Sequence, residues 1–335
     1  MNDFDVFSLG DVSLQSGQVL TDAKLAYKTY GKLNGNRDNV IVLPTFYTGT
    51  HVRNEGFFGA GRSINPEKHF IVSINLFGNG LSSSPSNTSG SSGGGNFPKI
   101  SLYDNITCQY QLLTEHFQIE EILLVTGWSM AGCQSFQWAA QYPSFVRNIV
   151  PFCASAKTSP HNYVFLEGVK SALLADSNFE NGFYKTPPAS GLKAFARVYA
   201  GWAFSQTWYR DALYKDLGFE SIESLLLDWE NDHLNWDAND LLLKLGTWQA
   251  GDISDNKLYN KDFAAALGGI NANTIVIACD NDLYFQPRDN ELEMAHIKNG
   301  ELRVFRSPWG HCVASPGNKT GFQSYFDSVV AELIG

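Results

Sequence analysis

Six short apolar runs punctuate the chain: NVIVLPTF (39–46), HFIVSINLF (69–77), EEILLVTG (120–127), VRNIVPFCA (146–154), NTIVIACD (273–280) and ELRVFRS (301–307). They are rich in β-branched and aliphatic residues, which predicts buried or half-buried strands. Between several of them, at 104–117, 130–141 and 289–298, apolar residues recur with helical spacing. Strands interleaved with helices predict an α/β fold with a mostly parallel central sheet flanked by crossover helices. From 157 to 268 the rhythm breaks. No central strand is evident there, but helical stretches such as GLKAFARVYAGWAFS and SIESLLLDWENDHLNW are. The pattern predicts a core of 1–156 and 269–335 interrupted by a helical lid or cap, 157–268; a second helical domain with no part in chemistry is the competing reading. The Gly/Ser-rich segment GLSSSPSNTSGSSGGGNFP (80–98) is a loop by composition, either shaping an entrance or decorating the surface.

Composition narrows the picture. The 335 residues, 44% hydrophobic and 13% aromatic, are enough for a large core. The formal charge of −10 is spread along the chain without a basic patch, so no nucleic-acid partner is expected. The opening MNDFDVFSLGDVSLQSGQ carries early acids and lacks the basic-then-apolar order of a secretory signal. No run is long enough to span a bilayer, and no membrane association is expected. The cysteines at 108, 133, 153, 279 and 312 include no C-x-x-C, which fits reduced thiols and a cytoplasmic location. Without a zinc-type cluster or a P-loop, neither a metal nor a cofactor is expected.

Candidate chemistry begins in LLVTGWSMAGCQSFQWAAQYP (123–143), an apolar run set against a helical pattern with Ser129 between them. Gly127 two residues before the serine and Ala131 two after allow a tight strand-to-helix turn, the arrangement of a nucleophile elbow. The serine would also cap the helix, where unpaired amides favour negative charge developing nearby. A serine hydroxyl needs a base to take its proton, and that base needs an acid to hold its tautomer. Asp282, with Asp280 in reserve, follows the run NTIVIACD, at the strand end where catalytic groups gather. His311 lies in the Gly- and Pro-flanked loop PWGHCVASP before the terminal helix. Of seven histidines it alone has both the order and the setting, and His51 is the competitor.

These residues, together with LAYKTYGKLN (25–34), YTGTH (47–51), FPKISLYDN (97–105), GWSMAG (127–132), ALLADSNFENGFY (172–184), GLKAFAR (191–197) and DLYF (282–285), resemble the homoserine O-acetyltransferase-like branch of the α/β-hydrolases over nearly the whole length. The resemblance implies an α/β-hydrolase fold with Ser129, Asp282 and His311 as the triad. It also implies the backbone amides of Tyr47 and Met130 as oxyanion donors, Arg197 as a substrate-holding arginine of the lid, and a homodimer. Departures shift the expected substrate. Where the transferases carry an acid after the histidine, this chain has Cys312, which supplies no charge-assisted bond to an ammonium. Trp128 and Ala131 stand where the transferases have glycines, adding bulk beside the nucleophile. The expectation is therefore an esterase for small, short-acyl esters, acetyl first. The alternative is an O-acetyltransferase using acetyl-CoA as cosubstrate and an alcohol such as homoserine as acceptor.

Overall fold

The computed structural model describes residues 3–335. In chain order the elements are β1 (Asp5–Ser13), β2 (Val19–Tyr30), β3 (Val40–Pro44), α1 (His51–Asn54), β4 (Phe70–Ile74), α2 (Leu102–Gln111), β5 (Leu124–Trp128), α3 (Met130–Gln141), β6 (Asn148–Phe152), α4 (Pro160–Leu174), α5 (Ala189–Ala203), α6 (Gln206–Arg210), α7 (Ile222–His233), α8 (Ala238–Gln249), α9 (Phe263–Gly268), β7 (Asn273–Cys279), α10 (Pro287–Met294), β8 (Gly300–Phe305) and α11 (Phe322–Ile334). The strands form one eight-stranded sheet in the order β1-β2-β4-β3-β5-β6-β7-β8. Pairing is parallel from β4 through β8 and antiparallel for β1 with β2 and for β2 with β4.

The continuous apolar runs of β3 to β7 follow from burial on both faces, whereas β8 is an edge strand with no buried residue. Along β3, Ile41 and Leu43 join the cluster on one side of the sheet while Val40 and Val42 join the other; along β7, Ile275 and Ile277 oppose Val276 in the same way. All six apolar runs are strands. The hairpin β1–β2 was not legible as an apolar run, because it lies at the sheet edge with most of β1 exposed or half-exposed. Polar residues such as Lys24 and Asp22 therefore interrupt its pattern.

Helices α4 to α8 lie between β6 and β7 in the chain. Their aromatic side chains, among them Phe165, Phe195, Tyr199 and Trp248, share one cluster with Trp128 at the end of β5 and with Phe46 and Tyr284 from the sheet's loops. The last part of the interval 157–268 behaves differently: Ile253, Ala266 and Leu267 are buried in the opposite cluster with Ile149 and Val276. That segment packs as a layer of the sheet rather than with the inserted helices. No helix among the described residues is long and apolar enough to cross a membrane.

A buried carboxyl clasps the loop after β6. Glu293 accepts from the amides of Ala156 at 2.8 Å and Lys157 at 3.3 Å and from Asn290 Nδ2 at 2.9 Å, and burial pushes it up from 4.5 to about 8. Between those two values the folded chain holds a proton that the unfolded chain has released, so stability falls as pH rises through that window, by about 1.4 kcal/mol per pH unit. Glu293→Gln keeps an oxygen for both amides and lacks the titration. Urea midpoints taken from pH 5 to 8 are expected to decline in the wild type relative to the variant, and parallel curves would contradict this.

Candidate active site

The turn after β5 holds Ser129 at φ 60° and ψ −127°, a conformation that is strained for a residue with a side chain. Glycine is required on both sides. A Cβ on Gly127 would lie 2.4 Å from Ala131 Cβ, and one on Gly132 would lie 2.5 Å from Ala154 Cβ. The close helix-to-strand packing that these glycines permit aims Ser129 out of the turn. Ser129 occupies the N-cap position of α3, but its hydroxyl makes no cap bond. It meets His311 Nε2 at 2.9 Å instead, so the expected capping by the hydroxyl does not occur.

His311 sits on a single 3-10 turn, Gly310–Ala314, reached through Gly310 at φ 57°. A Cβ on Gly310 would lie 3.0 Å from the Ser205 amide and 3.1 Å from the Asn281 carbonyl, so a side chain there would crowd both as well as adopt a left-handed φ. Two rings and a hydrogen bond hold the imidazole. Tyr284 is 4.4 Å away between centroids and Trp128 5.2 Å, and Trp128 Nε1 donates to the His311 carbonyl at 3.2 Å.

The other ring nitrogen, Nδ1, lies 2.7 Å from Asp282 Oδ2. Asp282 is fully buried, and its Oδ1 accepts from the amides of Tyr284 at 2.8 Å and Phe285 at 3.1 Å. Three donors around one carboxylate fix its orientation. Asp280, the reserve, is exposed and accepts from the Ser307 amide and Asn281 Nδ2, both at 2.9 Å. His51 is also elsewhere, bonded to Asn75 Nδ2 and Asp3.

Ser129 and His311 line a cavity of about 780 Å³, together with Tyr47, Trp128 and Cys312. Tyr47 is buried, its hydroxyl donating to the Leu241 carbonyl of α8 at 2.9 Å. Met130 opens α3, where the amide has no carbonyl from a preceding helical turn. Burial pushes the Cys312 thiol up to about 12, against the opposing pull of nearby Arg53. The Gly/Ser loop forms part of the wall: Gly80, Leu81 and Ser86 line the cavity, and Ser86 is tied to Asp240 through its amide at 3.0 Å and its hydroxyl at 2.6 Å.

One grouping of metal-ligand types is present among the described residues: Cys153 Sγ, an Asp282 oxygen and a His311 nitrogen, all within 4.8 Å of one another. Asp282 and His311 already face each other, and burial holds the Cys153 thiol well above its usual range, which disfavours the thiolate a metal needs.

The model for the "alpha/beta hydrolase fold" family matches residues 38–316. The chain belongs to the α/β-hydrolases. Among relatives of this α/β-hydrolase, an ethyl acetate hydrolase of Pseudomonas veronii is 35% identical over 99% of this chain and 95% of its own. A homoserine O-acetyltransferase of Nostoc punctiforme is 30% identical over 89% of this chain and 88% of its own. The solved structure of the acetyl esterase MekB superposes with a TM-score of 0.96 at 34% identity, covering 99% of this chain and 97% of that one.

One expected site residue of this hydrolase lies apart from the rest. Arg197 does not line the cavity; its Nη2 donates to Glu223 Oε1 at 2.6 Å and its Nε to Glu230, both on α7. With both acids engaged, the guanidinium is spent on joining α5 to α7. The arginine that does line the cavity is Arg53, just past α1's start, which the sequence pattern did not single out. Its guanidinium lies 5.0 Å from the centroid of Phe46 and 5.8 Å from that of Trp128, and it donates to the Thr48 carbonyl at 3.4 Å and to Ser315 Oγ at 3.3 Å.

Proposed function

We propose that the chain is a serine esterase acting on short-acyl esters, acetyl first. The observation that carries this reading is the unbroken line from Asp282 through His311 to Ser129, its two bonds 2.7 and 2.9 Å long, ending at a cavity. His311 takes the Ser129 proton as the hydroxyl oxygen attacks the ester carbonyl, and Asp282 stabilises the imidazolium that forms. The amides of Tyr47 and Met130 stabilise the oxyanion of the tetrahedral intermediate, each worth on the order of 3 kcal/mol. The intermediate collapses as His311 returns the proton to the departing alcohol, leaving an acyl-serine. Water, deprotonated by the same imidazole, then releases the acid. The ethyl acetate hydrolase and acetyl esterase names of the relatives support acetyl as the acyl group.

Transfer to an alcohol shares every step up to the acyl-serine, so the acceptor decides between the two activities. The test supplies 4-nitrophenyl acetate, and separately acetyl-CoA with a panel of alcohols including homoserine, and measures free acetate against transferred acetyl group. Acetate release in water alone is expected. Rapid CoA release that requires an alcohol, with negligible ester hydrolysis, would reverse the assignment. A cytoplasmic location and a homodimer packed through the inserted helices complete the proposal, and a sedimentation mass tests the second.

A further inference from the structure

The two amides assigned above to the oxyanion stand on unlike footings. Met130 opens α3, so the helix itself fixes its amide. Tyr47 lies in the loop between β3 and α1, outside any helix or strand. Donors to a developing oxyanion work only when aimed beforehand, and a misplacement of about 1 Å can cost on the order of 100-fold in rate. An amide on a loop therefore needs a tertiary anchor.

The anchor is the Tyr47 side chain, and the elements that grip it belong to the inserted helices. Tyr47 is 2% exposed. Its hydroxyl donates to the Leu241 carbonyl inside α8 at 2.9 Å. Its ring lies nearly parallel to those of Phe195 and Tyr199 on α5, with centroids 6.4 and 5.8 Å away, and 5.8 Å from the ring of Trp248 on α8.

Lys244 is the unexpected member of this contact. It follows Leu241 by three residues, on the same face of α8, and is completely buried. Lysine is almost never so buried unless paired, yet its Nζ has no hydrogen-bond partner among the described residues. It sits instead 3.9 Å from the ring centroid of Trp236 and 5.5 Å from that of Tyr47, within reach of a cation–π contact with each. Asp240, the carboxylate whose charge acts on it, is already engaged by Ser86. Tyr47, Trp236 and Asp240 line the cavity and Lys244 does not, so the ammonium lies behind the wall and meets no substrate. A leucine or methionine would fill that space without the cost of burying a charge. What the ammonium adds is a hold on the two rings. Resting on the esterase reading above, we infer that Tyr47 and Lys244 are positioning residues through which α8 aims the Tyr47 amide, so that the inserted helices set the geometry of the oxyanion hole.

The test compares two inhibitors of one skeleton. Ser129 Oγ adds to the carbonyl carbon of 1,1,1-trifluoro-4-phenylbutan-2-one, its proton passes to His311, and the former carbonyl oxygen becomes an oxyanion in the hole. The alcohol 1,1,1-trifluoro-4-phenylbutan-2-ol has the same skeleton and no carbonyl to attack, so it reports the cavity alone. Tyr47→Phe removes one oxygen and leaves the Leu241 carbonyl its helical bond. It is expected to raise Ki for the ketone about tenfold and to lower kcat/KM for 4-nitrophenyl acetate by a similar factor, with Ki for the alcohol within about twofold. Lys244→Met keeps the length and removes the charge. The same pattern is expected of it at pH 6, below the value of about 7 to which burial pushes Lys244 down.

Equal weakening of both inhibitors by Tyr47→Phe overturns the proposal, because the side chain then supports the cavity and not the amide. So does a ketone Ki that this variant leaves unchanged. If Lys244→Met does not fold, Tyr47→Phe still decides; if it folds and binds the ketone like the wild type, the role of Lys244 is overturned. The two readings fail separately. A wild type that hydrolyses 4-nitrophenyl acetate, with variants that leave the ratio of the two Ki values unmoved, loses the positioning assignment alone. A wild type that hydrolyses no acetate ester loses the esterase reading and this assignment with it.

Discussion

Ser129→Ala is expected to lower kcat for 4-nitrophenyl acetate by a factor on the order of 10⁴–10⁶, the loss seen when a hydrolase nucleophile is removed and only the oxyanion donors and binding remain. Folding is expected to be nearly unaffected, because the hydroxyl makes no cap bond and its hydrogen bond is with His311 alone. A melting temperature within about 2 °C of the wild type, beside the kinetic loss, would match this. Retention of a tenth of the activity would mean that another group attacks the ester. Ser129→Gly refines the prediction. At φ 60° and ψ −127° alanine carries the same backbone strain as serine, whereas glycine does not. The glycine variant is therefore expected to be equally inactive yet more stable than the alanine variant, by about 1 kcal/mol. Equal stability of the two would show that the turn stores no strain.

Asp282→Asn is expected to cost about 10⁴ in kcat, through the tautomer of the histidine. The asparagine oxygen can still accept from the amides of Tyr284 and Phe285, so the side chain keeps its place and its Nδ2 turns to His311. An amide nitrogen donates. The imidazole must then present Nδ1 as an acceptor and carry its proton on Nε2, the atom that faces Ser129, and a protonated Nε2 takes nothing from the hydroxyl. Labelling of Ser129 by a fluorophosphonate is expected to slow by a similar factor. Asp280→Asn provides the contrast: that carboxylate accepts from the Ser307 amide and Asn281, away from the imidazole, and activity is expected to stay within about fivefold. If Asp280→Asn is the damaging substitution and Asp282→Asn is not, the acid has been assigned to the wrong residue.

The three residues of the hydrogen-bonded line from Asp282 through His311 to Ser129 were legible because each leaves a local signature. Gly127, Ser129 and Ala131 mark a turn between a strand and a helix, Asp282 follows a strand, and His311 follows a glycine in a loop before the last helix. The inner strands β3 to β7 were legible for a related reason: burial on two faces leaves an uninterrupted apolar run. The edge hairpin leaves none, since one-sided burial lets Asp22 and Lys24 stand among its apolar residues. Arg197 shows the limit of a motif match. The motif places it on α5, but its partners Glu223 and Glu230 come from α7, 26 and 33 residues downstream, and only the packing of those helices decides that it meets them rather than the cavity.

The chain's order of residues alone determined the layer architecture and the succession of Ser129, Asp282 and His311 at strand ends and loops, because backbone conformation and alternating burial act over a few residues at a time. The tertiary structure alone decided the shape and polarity of the cavity. Arg53 after β3, Ser86 in the glycine-rich loop, Asp232 and His233 on α7 and Cys312 beside the histidine share one wall only once the inserted helices close over the sheet. Which group is left buried and unpartnered, as His233 Nε2 is, depends on every neighbour arriving or failing to arrive. No short stretch of sequence carries that information.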